Sequence, residues 1–408
     1  MLELESKTNI SNVLNYLFIA YAFVIPLSRA GIVVFSMLMI LLWLASPNKK
    51  ADIQLAWQNH AIKALLIYFG YNVLSLFWVE IHNLGHAVEA VGKFWYFWPV
   101  LIIIPHIKKG NILKVISAFV LGVFVSEILS YGIFFELITM KHGTPSDPTP
   151  FMTHLDYALF LSFTALMVLS RLLYEESLKY RLFYIFFFLS VTTNLFITGG
   201  RVGYIIFIIT LIILFLYRFE NKLKALLQAL MLLSTILIIA YNLSTTFHNR
   251  VHHTINSVTN IYQHQNYCNS WGTRVGAFIV AAEVVKQAPL FGVGIEDHID
   301  ELQEIIATQY PNMQCFSWYM HYHNQYLEII TKTGVLGLLL FLAIFYTLYQ
   351  MKFQSKEFEI IKIILLCVYL IGFVADPFFI LKQFTMAMFI LFFALLNAQY
   401  LFEQGKRV

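Results

Sequence analysis

Residues 321–350 read HYHNQYLEIITKTGVLGLLLFLAIFYTLYQ, and the way this stretch is read decides the fold. Its part 326–350 is mainly apolar and longer than the roughly 20 residues a helix needs to cross a bilayer. Backbone N–H and C=O groups in hydrocarbon must be satisfied within the segment itself, so such a run is a helix. Two imidazoles, His321 and His323, stand immediately before it. Outward from this helix the same criterion gives twelve runs in all: 13–28, 30–45, 62–79, 93–106, 112–138, 156–174, 182–198, 202–218, 225–243, 326–350, 360–376 and 378–402. The composition agrees. Of 408 residues 59% are hydrophobic and 12% charged, and mean hydropathy is +0.70, whereas soluble domains carry about 25% charged residues. Too few charges remain to build a water-facing surface. The fold class expected is all-α, a polytopic membrane protein of about twelve spans. No cleaved leader is expected, because the first apolar run lacks a small-residue cleavage site.

Basic residues gather in alternate connections, including Lys49, Lys50 and Lys63, then Lys108, Lys109 and Lys114, Arg171, Lys179 and Arg181, Arg218, Lys222 and Lys224, and Lys352, Lys356 and Lys362. Short loops rich in Lys and Arg stay inside, so both termini are expected in the cytoplasm. This divides the chain into spans one to nine (1–243), one large outside loop (244–325) and spans ten to twelve (326–408). In that loop a polar, His-rich lead-in, TTFHNRVHHTINSVTNIYQHQNY, precedes two helices. The first is TRVGAFIVAAEVVKQ, stopped by Pro289. The second is EDHIDELQEIIATQY, with Ile299, Leu302, Ile305 and Ile306 on one face. Cys268 and Cys315 lie in this loop, where an oxidising compartment would allow a disulfide, and pairing and free thiols both stand open. No internal repeat is visible.

Cations on the outer side run against the charge bias, and each asks for a cause. Arg201, in ITGGRVGYIIF, sits at a tight Gly199–Gly200 turn with almost no loop around it. It is either a snorkelling anchor or part of an anion site. The glycines, which admit close backbone approach, and the helix start favour the second. Arg274 stands in the first turn of a helix, where the dipole disfavours a cation. Pairing with Glu283 or Asp297 and a ligand role both remain open. Arg29, Lys93, Lys141 and Lys382 are weaker candidates that together imply an electropositive vestibule. His248 and His252 have i, i+4 spacing, yet no HExxH or CxxC pattern accompanies them, so no metal is expected there. Asp297 and Asp300 read as helix capping. His323 heads the tenth span at the membrane–water boundary, where a neutral imidazole can act as a base near pH 7.

His323-Asn324, nine residues, Gly334 and then Gly337 resemble the HN-x9-G-xx-G signature of the O-antigen ligase and polymerase superfamily. Gly199-Gly200-Arg201-x-Gly203, and Thr273-Arg274 followed by Pro289-x2-Gly292-x-Gly294, resemble that family's arginine-bearing segments. The layout of spans and late large loop is similar too. The resemblance implies a glycosyltransferase C-like, metal-independent inverting enzyme of the bacterial inner membrane, with its site facing the periplasm. As a ligase of lipopolysaccharide biosynthesis it would move a glycan from undecaprenyl diphosphate to lipid A–core oligosaccharide. It further implies Arg201 and Arg274 on the donor diphosphate and His323 as the base, with Gly200, His321, Asn324, Arg29, Lys93, Lys141 and Lys382 as supporting candidates. Membrane lipids are the surroundings, and neither cofactor, metal nor nucleic acid is expected. Polymerases and protein oligosaccharyltransferases of the superfamily are the alternatives. An R-x10-G pattern, frequent in polymerases, is absent: Ile212 and Val285 stand eleven residues after the two arginines. A transporter of lipid-linked glycans would instead call for related halves and ionisable groups at mid-membrane depth.

Overall fold

A computed structural model describes residues 2–47 and 49–406, with side chains from residue 10 onward. Among the described residues the fold is helical, with seventeen α-helices and a few 3-10 turns. They are α1 (Leu2–Val24), α2 (Arg29–Ala45), α3 (Lys49–Gln58), α4 (His60–Ser75), α5 (Leu84–Gly92), α6 (Trp98–His106), α7 (Ile112–Phe134), α8 (His154–Leu172), α9 (Leu178–Ile197) and α10 (Arg201–Arg218). The chain continues with α11 (Lys222–Leu243), α12 (Thr245–His264), α13 (Gly272–Gln287), α14 (Asp297–Gln309), α15 (Gln325–Gln350), α16 (Lys356–Gly372) and α17 (Gln383–Glu403). Polar side chains close the helix starts: Ser28, Asn59, Thr153, Asn221, Ser244 and Asn324 each accept a first-turn amide that would otherwise lack a partner.

Nine helical stretches among the described residues are long and apolar enough to cross a membrane, α5 and α6 together making one of them, or ten if the bent pair α2 and α3 is one span. The chain is a multi-pass membrane protein, and three of the twelve expected runs, 13–28, 30–45 and 360–376, lie outside these nine. The part of α1 whose side chains are described, Ile10–Val24, is apolar and ends before Pro26. Helix α2 has 17 residues and meets α3 at 114°. Helix α16 also has 17, with Lys356, Glu357, Glu359 and Lys362 in its first two turns. The expected run 93–106 begins earlier, at Leu84, and is broken by a 3-10 turn at Lys93–Phe97.

Helix α17 lies at the centre, with nearly all its side chains buried, packed on α6, α2, α8 and α16. Helix α8 is almost as enclosed and packs on α9 and α10, while α4 packs along α15. Since lipid is as apolar as a leucine side chain, such contacts rest on close fit and not on escape from water. A Cβ at Gly203 would lie 2.8 Å from the Ala158 carbonyl oxygen, so α8 and α10 meet backbone to backbone.

The His-rich lead-in is not irregular. It forms α12, on whose face Phe247 and Ser257 are buried while most other positions are open. Helices α13 and α14 bury their apolar faces against each other, not simply on the bundle: Ala277, Val280, Ala281 and Val284 meet Leu302, Ile305 and Ile306, with Met313, Phe316 and Tyr322 completing a second core. A disulfide between Cys268 and Cys315 ties this unit. Asp297 and Asp300 do not cap their own helix. They hold the loop before α5, taking the Glu80 amide at 3.0 Å, Asn83 at 2.9 and 2.6 Å and His82 at 3.0 Å.

Helix α15 is interrupted at Gly334, whose φ of 69° and ψ of −171° are non-helical. The interruption frees backbone groups, and the segment after α13 takes them up. Val335 and Leu336 donate to the Pro289 and Leu290 carbonyls at 2.9 and 3.3 Å, while Val293 and Gly294 donate to those of Thr331 and Lys332 at 3.0 and 3.2 Å. Tyr71 donates to the Thr333 carbonyl at 3.0 Å. The Pro-x2-Gly-x-Gly segment and the glycines of the tenth span are thus two sides of one joint. Gly334, inside the run 326–350 read from sequence as one helix, is the break itself.

This joint predicts opposite outcomes for two glycines. At Gly334 an added Cβ would lie 2.2 Å from the Leu290 oxygen on a backbone that L-residues avoid, so Gly334→Ala should destabilise by roughly 1–3 kcal/mol. Gly85, in α5 with nothing within 4 Å, should tolerate alanine or gain up to about 1 kcal/mol. Apparent melting temperatures of the two variants in detergent check this.

Candidate active site

One end of the bundle gathers most of the singled-out residues. Arg201 opens α10, and its guanidinium donates to Thr254 Oγ1 of α12 at 3.0 Å and to Ser270 Oγ at 2.5 Å. Arg274, in the first turn of α13, donates to the carbonyl of the same Ser270. The two guanidiniums therefore converge on one residue. Arg250, one turn before Thr254, joins them: its guanidinium lies against Gly199, and its positive charge acts on Arg201. Glu283 is paired with Lys286 at 2.7 Å and Asp297 holds Asn83, so the pairing considered for Arg274 does not form. No ion pair is formed by Arg201, Arg250 or Arg274 among the described residues. Burial pulls the Arg274 guanidinium below its ordinary range, against the opposing charges of Asp376 and Tyr319.

The glycines beside Arg201 act differently from the expected anion cradle. The Gly199 amide donates to Asp147 Oδ1 at 2.9 Å, and the Arg201 amide to the Gly199 carbonyl at 3.1 Å. Neither is free for a ligand. A Cβ on Gly200 would meet His154 O at 2.5 Å, so this glycine lets α10 start hard against α8.

His323 lies next to this cluster. Its Nδ1 is 3.1 Å from Asp376 Oδ1, and the Asp376 side chain is fully buried. Arg274 Nε reaches the carbonyl of Ala375, the residue before, at 3.5 Å. Lys382 Nζ stands 3.1 Å from the other Asp376 oxygen. Burial raises the Asp376 pKa, but the His323 bond and Lys382 outweigh it, and the net shift is downward. Burial likewise opposes the charge on Lys382, yet Asp156 and Asp376 prevail and raise its pKa. The carboxylate is thus charged, held between an ammonium and an imidazole.

The backbone here is strained. His323 has φ 49°, a left-handed conformation uncommon for a residue with a side chain. Several bonds hold it. The Tyr322 amide donates to Glu328 Oε2 at 3.0 Å, the His323 amide to His321 Nδ1 at 3.2 Å, and Asn324 caps α15 while its Nδ2 donates to Val374 O at 3.0 Å. Asn324 therefore positions the turn. Glu328 is anchored in turn by Lys332 at 2.7 Å and buried His298 at 3.1 Å. The Tyr319 ring packs edge-on against His323 with centroids 4.8 Å apart. His321, whose Nδ1 accepts the hydrogen bond of the His323 amide, supports its neighbour.

His321, His323 and Asp376 each offer a ligand atom within 4.8 Å of one another, the one metal-capable group found among the described residues. A cation there would compete with the Lys382 ammonium for the Asp376 charge. His248 and His252 instead pack on Tyr241, with His252 Nε2 3.1 Å from its hydroxyl. Arg29, Lys93 and Lys382 line a separate cleft that shares Lys382 with the site. Lys141 stands exposed in the 135–153 loop and makes none of the site's contacts among the described residues. Arg250, Asp376, Ser270 and Tyr319 escaped sequence reading. Only Asp376 left a trace, as a lone carboxylate ending an apolar run.

Burial, with His323 next, lowers the His321 pKa to about 4, and burial with Lys332 also lowers that of His298. The unfolded chain binds these protons near 6.5, so stability is complete above that value and falls as pH drops toward about 4. Glu328, Asp376 and Lys382 face the same groups. The apparent melting temperature should decline between pH 6.5 and 4, and His321→Asn should flatten the decline.

Comparison with known proteins meets this geometry. Residues 185–342 match the family model described as O-antigen ligase. A protein of Haemophilus influenzae, itself uncharacterized, is 25% identical over 389 residues, covering 89% of this chain and 91% of that relative. Arg201, Arg250, Arg274 and His323 all lie within the residues that match the O-antigen ligase family model.

Proposed function

We propose that the chain is an inverting O-antigen ligase that transfers a glycan from undecaprenyl diphosphate to lipid A–core oligosaccharide at the periplasmic face of the inner membrane. The observation that carries this reading is the convergence of Arg201 and Arg274 on Ser270 beside the His323–Asp376 pair. The large loop 244–325 and both arginines then lie on the periplasmic side, with the termini in the cytoplasm.

In this mechanism the bond to Asp376 assigns the proton of His323 to Nδ1, which donates to the carboxylate and leaves Nε2 free. Nε2 accepts the proton of the acceptor hydroxyl as that oxygen attacks the anomeric carbon of the donor sugar. The new C–O bond forms on the face opposite the diphosphate, and the old one breaks with its electron pair passing to the diphosphate oxygens. Arg201 and Arg274 hold the charge that develops there, with Arg250 adding to the field. Asp376 steadies the imidazolium in the way a triad carboxylate does, and Lys382 keeps Asp376 ionised. The guanidiniums supply the neutralisation that a divalent ion gives in other phosphate chemistry, so transfer needs no metal.

His323→Ala should abolish transfer while insertion and yield stay normal; near-normal transfer would remove it as the base. Arg201→Lys should also fail, since an ammonium cannot reproduce a bidentate grip. Activity of the purified protein should survive EDTA, and a loss restored by a divalent ion would move the reading to a cation on His321, His323 and Asp376. Transfer from a defined undecaprenyl-diphosphate glycan, with lipid A–core, a second lipid-linked glycan and a peptide in competition, tests the acceptor. Preference for the second or third would make the chain a polymerase or a protein oligosaccharyltransferase.

A further inference from the structure

The cleft beside Lys382 has a volume of about 580 Å³ and is lined by Arg29, Glu89, Lys93, Trp95, Tyr96 and Lys382 among others. That size is typical of small-molecule sites. Its three cations come from the start of α2, the 3-10 turn after α5 and the start of α17, far apart in sequence. Lys382 is partnered by Asp376, but Arg29 and Lys93 form no ion pair among the described residues. The Arg29 guanidinium rests over the Phe384 ring, 5.4 Å from its centroid, and its carbonyl accepts from Gln383 at 3.2 Å. The second contact is to the Arg29 backbone, and the ring contact leaves the guanidinium N–H donors unused. Trp95 and Tyr96 lie with ring centroids 4.0 Å apart, offering the broad aromatic surface on which a sugar ring can lie.

We propose that this cleft binds the acceptor, through a phosphate group carried on its saccharide near the hydroxyl that reacts. The inference rests on the transferase reading above and names the acceptor's chemistry. Two features separate this cleft from the arginine cluster. The first is charge: Lys382 is already held by Asp376 and Asp156, which leaves Arg29 and Lys93 facing Glu89, and that pair of cations suits a single phosphate. The two guanidiniums at Ser270, with Arg250 beside Gly199, suit a diphosphate better. The second is position. Asp376 Oδ1 bonds His323 and Oδ2 pairs with Lys382, so a saccharide in the cleft approaches the base from the Lys382 side, while Arg274 touches the same loop at Ala375. Donor and acceptor anions thus have separate seats on either side of the proton-accepting pair.

The test uses the full chain in phosphatidylcholine nanodiscs, the lipid-diphosphate donor, and one acceptor glycolipid offered with and without its saccharide phosphate. Wild type should show a KM about tenfold lower for the phosphorylated form, and the double variant R29Q/K93Q should lose that preference while the donor KM stays within about twofold. Arg29→Lys with Lys93→Arg should restore it, which excludes a folding defect. A preference unchanged in R29Q/K93Q, absent in wild type, or replaced by a rise in donor KM would overturn the inference. It would fall equally if phosphatidylglycerol in the nanodisc abolished the wild-type preference without affecting the variant, since the cleft would then hold a bulk lipid headgroup. Wild type that transfers to no acceptor would sink the transferase reading instead.

Discussion

The joint between Gly334 and the segment Pro289–Gly294 carries the rest of the architecture. A helix that stops and restarts within a membrane leaves carbonyls and amides without partners, and each would cost several kcal/mol in hydrocarbon. Here a second strand of backbone supplies those partners on both sides of the break. The consequence reaches the chemistry. The segment leads out of α13, which carries Arg274, while the first part of α15 is headed by His323. Fixing one backbone to the other fixes the arginine relative to the imidazole.

His323 is held by a second constraint nested in the first. Its positive φ is tolerated because the residues before and after it are bonded: Tyr322 to Glu328, Asn324 to the α15 amides and to Val374. Glu328 lies one turn into α15 and is itself tied to Lys332 and His298. A left-handed histidine costs on the order of 1–3 kcal/mol, which this polar network offsets. The strain turns the imidazole toward Asp376.

Much of this was legible in the chain, because apolar runs and cation placement are local signals. The helical bundle, the late loop and the convergence of Arg201, Arg274 and His323 follow from them. What stayed hidden depends on contacts between distant residues. Asp376 looked like the tail of a spanning run, and only the fold brings it under His323 from 53 residues away. Helix α12 was missed because its composition is polar and few of its side chains are buried. Gly334 read as helix interior, since nothing nearby in sequence announces that Pro289 to Gly294 will occupy the break. The glycines at 199 and 200 drew attention to Arg201, but the Gly199 amide is engaged by Asp147 and Gly200 serves the close approach of α10 to α8.

The placeholder at the centre of the arginine cluster has a consequence of its own. The guanidiniums of Arg201 and Arg274 rest on a hydroxyl and a carbonyl of Ser270, neutral groups with no charge to give up. Under the proposed function, a diphosphate entering there would break no ion pair and would relieve repulsion among like charges, and departure of the spent carrier would restore it. Binding at such a site would then compete with ambient anions, which would make the salt around the membrane a participant in turnover.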